Sequence, residues 1–382
     1  MTTIVQICPE IGPGSGVGGV AFHLEKEWRS KGVSVERFTL EDVLGRRLTS
    51  LTQVGPGLRG KLLLLFRVVW FSTAGTVMAR RRLGRRSDIV TICHNDALFG
   101  DVYVNHGIVQ AAMKARGGYW WRMARNPLHI FTTIRDRARY AGRAGHRLVV
   151  NLVAGEELVL RQTYPRLAVE TVVIGNGVDV DRFEVPSEER RSTARRRLGL
   201  QPDDYALLFV GHEFDRKGLP VILKALEDLP DSTHLVVVGG GPDQIDPASR
   251  SIASVAIRDR VHFVGVQRDP RDYFHAADAF VLPSAYESHA LVILEALASG
   301  LPVIATRTGS APDVIRQGKN GSIIRAEARD VSEAVKALRA VPSEDLRTAA
   351  RATAEAHSWE QVAQTYLDML TDRFDASFPE AR

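Results

Sequence analysis

The sequence predicts an α/β protein built as two doubly wound domains, each a parallel sheet with helices on both faces. Three observations predict it. The chain has 382 residues, 45% hydrophobic and 25% charged, which on length and composition describes a globular chain of two domains. Short apolar runs alternate with helix-length amphipathic segments, the pattern of a parallel sheet joined by crossover helices. That alternation stops at a polar, proline-containing connector, NGVDVDRFEVPSEERRSTARRRLGLQPDD, and then starts again.

In the first half, strands are expected at residues 4–8, 33–38, 89–92, 102–104, 148–151 and 171–174. The first is followed by GPGSGVGG, residues 12–19, and by an amphipathic stretch, VAFHLEKEWRSKG. The segment KLLLLFRVVWFSTAGTVMA, residues 61–79, is apolar but interrupted by Arg67, and the polybasic RRRLGRR follows it. It reads as a well-buried helix leading into the next strand, with an interfacial amphipathic helix as the alternative. No purely apolar stretch reaches membrane-spanning length, and no secretory leader is expected. Cys8 and Cys93 each end an apolar run and are expected as buried, unpaired thiols, which fits a cytoplasmic protein.

In the second half, strands are expected at residues 206–210, 234–238, 261–263, 279–282, 303–305 and 321–324. The last strong helix signal, Trp359–Phe374, follows Ser358 as N-cap. On these signals the domains are residues 1–175 and 191–357, with a linker at 176–190. The terminal segment 358–382 either stays with the second domain or crosses back to the first.

Charge is divided unevenly. Residues 1–175 carry 25 Lys and Arg against 13 Asp and Glu, and the remainder carries 25 against 32. Ten basic residues and no acid lie between Gly45 and Ser87, among them Arg80, Arg81 and Arg82. Such a field attracts an anionic membrane surface, a phosphorylated substrate or nucleic acid, and solvated helix faces would give the same composition. Nucleic acid is not expected as a partner. No recognition-helix motif or aromatic-basic RNA platform accompanies the charge, and the second half is acidic.

Chemistry concentrates in the second half. In LFVGHEFDRKG a strand ends at Gly211 and two cations, Arg216 and Lys217, precede a helix. A guanidinium fork beside a compact ammonium suits a diphosphate. VVVGGGP ends another strand in Gly239 and Gly240, which allow close backbone approach or a tight turn. In FVLPSAYESHALVILEALASGLPVIA a strand delivers Glu287 to a loop at a helix start, where free N–H groups favour anionic ligands. Glu295, eight positions later, is a lone acid in the apolar run LVILEALA and needs a partner; it is placed to bridge vicinal hydroxyls.

The order of these motifs, FVG…RKG, VVVGGGP, FVGV, ADAFVLPS, E-x7-E and ASGLPVIAT, resembles glycosyltransferase family 4. Members that build bacterial lipopolysaccharide cores and phosphatidylinositol mannosides look closest in layout. The resemblance covers the C-terminal domain. It reaches the first domain at the glycine loop, at His106-Gly107 and at Asn176-Gly177-Val178-Asp179. It implies the GT-B fold, two Rossmann-like domains facing each other across a cleft. It also implies a retaining enzyme that moves a hexose-type sugar from a UDP- or GDP-linked donor to an acceptor hydroxyl. The expected acceptor is lipid-linked or a cell-envelope glycan, met by the basic first domain at the inner face of the cell membrane; a soluble metabolite is the alternative.

Roles follow where residues match. The resemblance implies that Arg216 and Lys217 hold the donor diphosphate and stabilise the departing nucleotide. Glu295 would bind the ribose and Glu287 the sugar hydroxyls, with the backbone of Ser288, His289, Ala290 and Leu291 nearby. His106 would hydrogen-bond a sugar hydroxyl, with His94 as a second candidate. Gly18 and Gly19 would let their loop approach the diphosphate, and Gly211, Gly239 and Gly240 would complete the nucleotide site. His289-Ala290 stands where the family often has Phe-Gly, and alanine lacks glycine's freedom at positive φ. The pair Asp179-x-Asp181 imitates a metal motif of a different fold. No metal and no cofactor beyond the sugar nucleotide are expected, because protein cations can serve the leaving diphosphate.

Gly14-Ser15-Gly16-Val17-Gly18-Gly19 also satisfies G-x-G-x-x-G, with Glu36 ending the next apolar run. That is the pattern of a nicotinamide-dependent oxidoreductase. In that fold the first glycine follows the strand almost at once. Here Pro9-Glu10-Ile11-Gly12-Pro13 intervenes, so the loop is too long and too proline-rich for that turn.

Overall fold

The computed structural model describes residues 1–379 apart from 15, 52–56, 116–118 and 144. Its chain divides into two units, Met1–Asn176 with Trp359–Arg382, and Gly177–Ser358.

The first unit is a six-stranded parallel sheet: β1 (Thr3–Ile7), β2 (Val35–Phe38), β3 (Ile89–His94), β4 (Val102–Asn105), β5 (Leu148–Asn151) and β6 (Glu170–Val173). The order is β2-β1-β3-β4-β5-β6. The middle strands β3, β4 and β5 are buried almost end to end, as a sheet covered on both faces requires. The strands run parallel, so the segments leaving β1, β3 and β4 emerge at one carboxyl edge, and the strand order reverses between β1 and β3.

The helix Val17–Ser30 starts with Gly16 as N-cap at φ 91°. A Cβ on Gly18 would lie 2.6 Å from the Glu10 carbonyl oxygen, and one on Gly19 only 2.0 Å from that of Gly14. Those two glycines let the loop fold back against its own helix. Glu36, the acid of the dinucleotide pattern, pairs with Arg86 at 2.8 Å on the surface. Cys8 and Cys93 are buried and unpaired.

The terminal helix Trp359–Phe374 belongs to this first unit. Trp28 Nε1 donates to the Ala363 carbonyl at 3.0 Å, Trp28 meets Tyr366 edge to face, and Thr2 N donates to Ser377 O at 2.8 Å. Tyr366, Leu367 and Leu370 are buried there, each contributing about 1.5–3 kcal/mol.

One expectation is corrected. The segment 61–79 lies in a continuous helix, Gly57–Leu83, long and apolar enough by length and composition to cross a membrane, but it is not well buried. Phe71, Ser72, Gly75, Ala79 and Leu83 pack inward, and a π turn at Phe71–Gly75 carries the helix past that contact. Leu58, Leu62, Leu64, Phe66, Trp70, Val77 and Met78 are exposed. Mean composition could not distinguish these faces.

The second unit contains β7 (Tyr205–Val210), β8 (Thr233–Val238), β9 (Val261–Gly265), β10 (Ala279–Leu282), β11 (Val303–Thr306) and β12 (Gly321–Ile324). They run parallel in the order β12-β11-β10-β7-β8-β9. The stretch 177–190, expected as linker, packs within this unit. Val178 and Phe183 are buried in its core, Val178 N donates to His357 O at 3.0 Å, and Arg351 Nη1 donates to the carbonyls of Val180 and Ala298.

Candidate active site

The order of the second sheet reverses between β7 and β10, and the segments leaving these neighbours diverge to either side. In open α/β sheets, ligands bind in the crevice formed at the carboxyl ends of such a pair. Both sequence motifs lie there. From β7 the chain passes through Gly211 and His212 to Glu213, held left-handed at φ 47°, and into a single turn, Phe214–Lys217. From β10 it passes through Pro283 and Ser284 to the loop bearing Glu287.

Glu287 ties the two segments together. Its Oε1 accepts from Lys217 Nζ at 3.1 Å, Arg216 Nη1 at 3.2 Å and Ser284 Oγ at 2.8 Å. Arg216 Nη1 also donates to the Tyr286 carbonyl, and its Nε to Glu213 at 2.9 Å. The Arg216 carbonyl accepts from Ala285 N at 2.9 Å. Both cations are thus positioned while several of their N–H groups remain available to a ligand.

The glycines have steric reasons. A Cβ on Gly211 would lie 2.2 Å from Lys217 Cδ, so the lysine stem crosses the strand end only because that position is bare. On Gly239 a Cβ would meet the Gly211 carbonyl oxygen at 2.3 Å, and on Gly240 the Phe214 ring at 2.4 Å. Gly309, which sequence reasoning missed, backs the Glu287 loop: a Cβ there would lie 2.9 Å from Glu287 Cβ.

Helix Leu291–Ala298 begins at Ala290, a left-handed N-cap at φ 63° and ψ 68°. Alanine therefore takes a conformation suited to glycine at a cost of about 1–2 kcal/mol. Ser310 N donates to the His289 carbonyl at 2.9 Å and braces the turn. Further along, Glu295 is partly buried. Burial pushes its carboxyl up to about 7, against the opposing charges of Arg182 and Lys217. Arg182 escaped sequence reasoning because it sits in the stretch read as linker. Asp179 beside it accepts from Arg182 N at 3.0 Å, a turn contact, and Asp181 is exposed. No cluster of three metal-ligating side chains occurs among the described residues.

In the first unit, His94 ends β3 and His106 follows β4. His94 Nδ1 and His106 Nε2 lie 3.3 Å apart. Burial lowers His106 to about 4, and burial followed by the neighbouring His106 lowers His94 well below the ordinary range, so both are neutral at pH 7. Beside them Asn105 donates to Asn151 Oδ1 at 2.9 Å. Arg80, Arg81 and Arg82 are exposed, with Arg82 paired to Asp42 at 2.8 Å.

Comparison with known proteins bears on family and fold. Residues 190–359 match the family model of glycosyl transferases group 1. The D-inositol 3-phosphate glycosyltransferase of Xylanimonas cellulosilytica is 36% identical over 211 residues, 52% of this chain and 50% of that protein. The enzyme of the same name from Geodermatophilus obscurus is 35% identical over 243 residues, 59% of this chain and 52% of that one. The chain spans about half the length of the curated relatives it matches. Among solved structures, WaaG, a glycosyltransferase involved in lipopolysaccharide biosynthesis, superposes with a TM-score of 0.72 at 20% identity. That match covers 96% of this chain and 99% of WaaG, and it establishes the GT-B fold.

Proposed function

We propose that this chain, whose residues 190–359 form a glycosyl transferases group 1 domain, is a retaining glycosyltransferase that uses a UDP- or GDP-linked hexose. The observation that carries the reading is the convergence of Arg216, Lys217 and Ser284 on Glu287 Oε1 at the strand reversal of the second unit. Arg216 and Lys217 would bind the donor diphosphate, and Glu287 would orient them and meet the sugar hydroxyls. Glu295 would take the ribose hydroxyls, with Arg182 supporting its ionised form. Neutral His106 would hydrogen-bond a substrate hydroxyl through the ring nitrogen that does not face His94.

In the reaction, the bond from anomeric carbon to phosphate oxygen breaks and the acceptor oxygen bonds to that carbon on the same face. The acceptor proton passes to the departing phosphate oxygen. Charge grows on the diphosphate in the transition state, where fixed cations stabilise it more than they stabilise the ground state. No cofactor beyond the sugar nucleotide enters this scheme.

The acceptor is read as a lipid-linked or envelope glycan hydroxyl at the inner face of the membrane, in keeping with the basic first unit. A second reading, a soluble phosphorylated polyol, is supported by the name of the curated relatives.

Calorimetric titration with UDP, GDP and NAD tests the donor assignment. A nucleoside diphosphate should bind and NAD should not. Lys217→Ala should weaken that binding by about 10- to 150-fold, the loss of one charge-assisted contact. Undiminished binding by the variant, or preference for NAD, would overturn it. Turnover with inositol phosphate set against a polyprenyl-linked sugar then separates the acceptors.

A further inference from the structure

The first unit carries a surface whose polarity is inverted. Helix Pro127–Ala138 buries Thr132, Thr133, Arg135 and Asp136, yet presents Ile130 and Ile134 outward, the latter 61% exposed. Helix Gly57–Trp70 buries only Gly60, while Leu58, Leu62 and Phe66 follow one another at four-residue spacing on its exposed side. It packs against Pro127–Ala138, which in turn packs against helix Tyr119–Arg125. That third helix exposes Trp120 to 82% and Trp121 to 61%. Neighbouring helices that each turn large apolar side chains to solvent, one of them while burying polar ones, mark an interaction site.

Charge selects the partner. No acid occurs in residues 43–87 or 102–135, which supply all three helices up to Arg135. Arg59, Lys61 and Arg125 accompany the apolar side chains, with the Arg125 guanidinium 4.5 Å over the Trp121 ring. Tryptophan, leucine and cations without acids form the composition of a surface that seats in lipid headgroups. A second copy of the chain fits poorly, because a two-fold interface would set these cations against themselves. A membrane-spanning course for Gly57–Leu83 fits poorly as well. Phe71, Ala79 and Leu83 hold its second half in the core of the unit.

We propose that the outer face of these three helices docks the protein peripherally on an anionic bilayer. For its purpose this rests on the reading of a lipid-linked acceptor, and it names the surface that meets the lipid. The two can fail separately, since membrane binding needs no sugar transfer.

The test is flotation of the full chain with vesicles of phosphatidylcholine alone and of phosphatidylcholine with one-third phosphatidylglycerol. The protein should float with the anionic vesicles only, and high salt should weaken but not abolish binding. Tryptophan emission should shift to the blue, because Trp70, Trp120 and Trp121 are exposed whereas Trp28 and Trp359 are buried. Trp120→Ser with Trp121→Ser should lower partitioning at least about tenfold, and Leu58→Gln with Leu62→Gln should lower it independently. An unchanged circular dichroism melt would show that these variants are folded. Three results would each overturn the proposal: absence of flotation, a protein dimer that the tryptophan variant dissociates, or membrane association that survives alkaline carbonate.

Discussion

Glu295→Gln removes the charge of the partly buried acid while keeping its shape, and its effect should depend on pH in a stated direction. Burial raises the carboxyl from its ordinary 4.5 to about 7. At about 1.4 kcal/mol for each pH unit between those values, ionising it in the folded chain costs about 3 kcal/mol more than in the unfolded chain. Below pH 4.5 the group is protonated in both states and costs nothing. As pH rises toward 7 the unfolded chain releases the proton and the folded chain retains it, so stability falls. Above 7 the full penalty persists. Glutamine never ionises, so the variant should gain on the parent by about 3 kcal/mol between pH 4.5 and 8, with the change complete near neutrality. Urea unfolding of both proteins across that range, followed by circular dichroism, measures the gap. Taking the difference cancels the other titrating groups. A gap that stays constant, or narrows with rising pH, would refute the claim that burial outweighs Arg182 and Lys217.

Three further outcomes follow from local geometry. Gly211→Ala places a methyl where Lys217 Cδ lies, so the lysine must leave Glu287; nucleoside diphosphate affinity should fall at least about tenfold by calorimetry while the melting point changes little. Ala290→Gly relieves a left-handed alanine and should stabilise the second unit by about 0.5–1 kcal/mol in urea unfolding, after the extra chain entropy of glycine is counted. Trp28→Phe deletes the donor to the Ala363 carbonyl and should destabilise the docking of Trp359–Phe374 by about 1–3 kcal/mol, visible as faster amide exchange in that helix.

Local signals in the sequence carried most of the fold. Most of the described strands are short runs rich in Val, Ile or Leu, and such runs are legible wherever they occur. The cations and Glu287 were legible for a related reason, since each lies in the segment that leaves a strand end, and strand ends are where sites collect. What stayed hidden depends on contacts distant in sequence. Arg182 acts on Glu295 from more than a hundred residues away, and nothing near Arg182 marks it. The need for a bare Gly309 arises from the Glu287 loop that it backs. The exposure of the helix at 57–83 depends on which neighbours cover it, and an apolar composition reads alike covered or bare.

The return of the last helix to the first unit has a consequence for synthesis on the ribosome. The second unit is one uninterrupted stretch, Gly177–Ser358, inserted into the first. It can fold as soon as it has emerged. The first unit's sheet, although made earlier, lacks the cover supplied by Trp359, Tyr366 and Leu370 until the segment from residue 359 onward has emerged. Of these two units, the one begun first is therefore the last to be completed. The first-made half waits longest with its apolar surface open, and a stop codon shortly before residue 359 would strand it in that state while leaving the second unit whole.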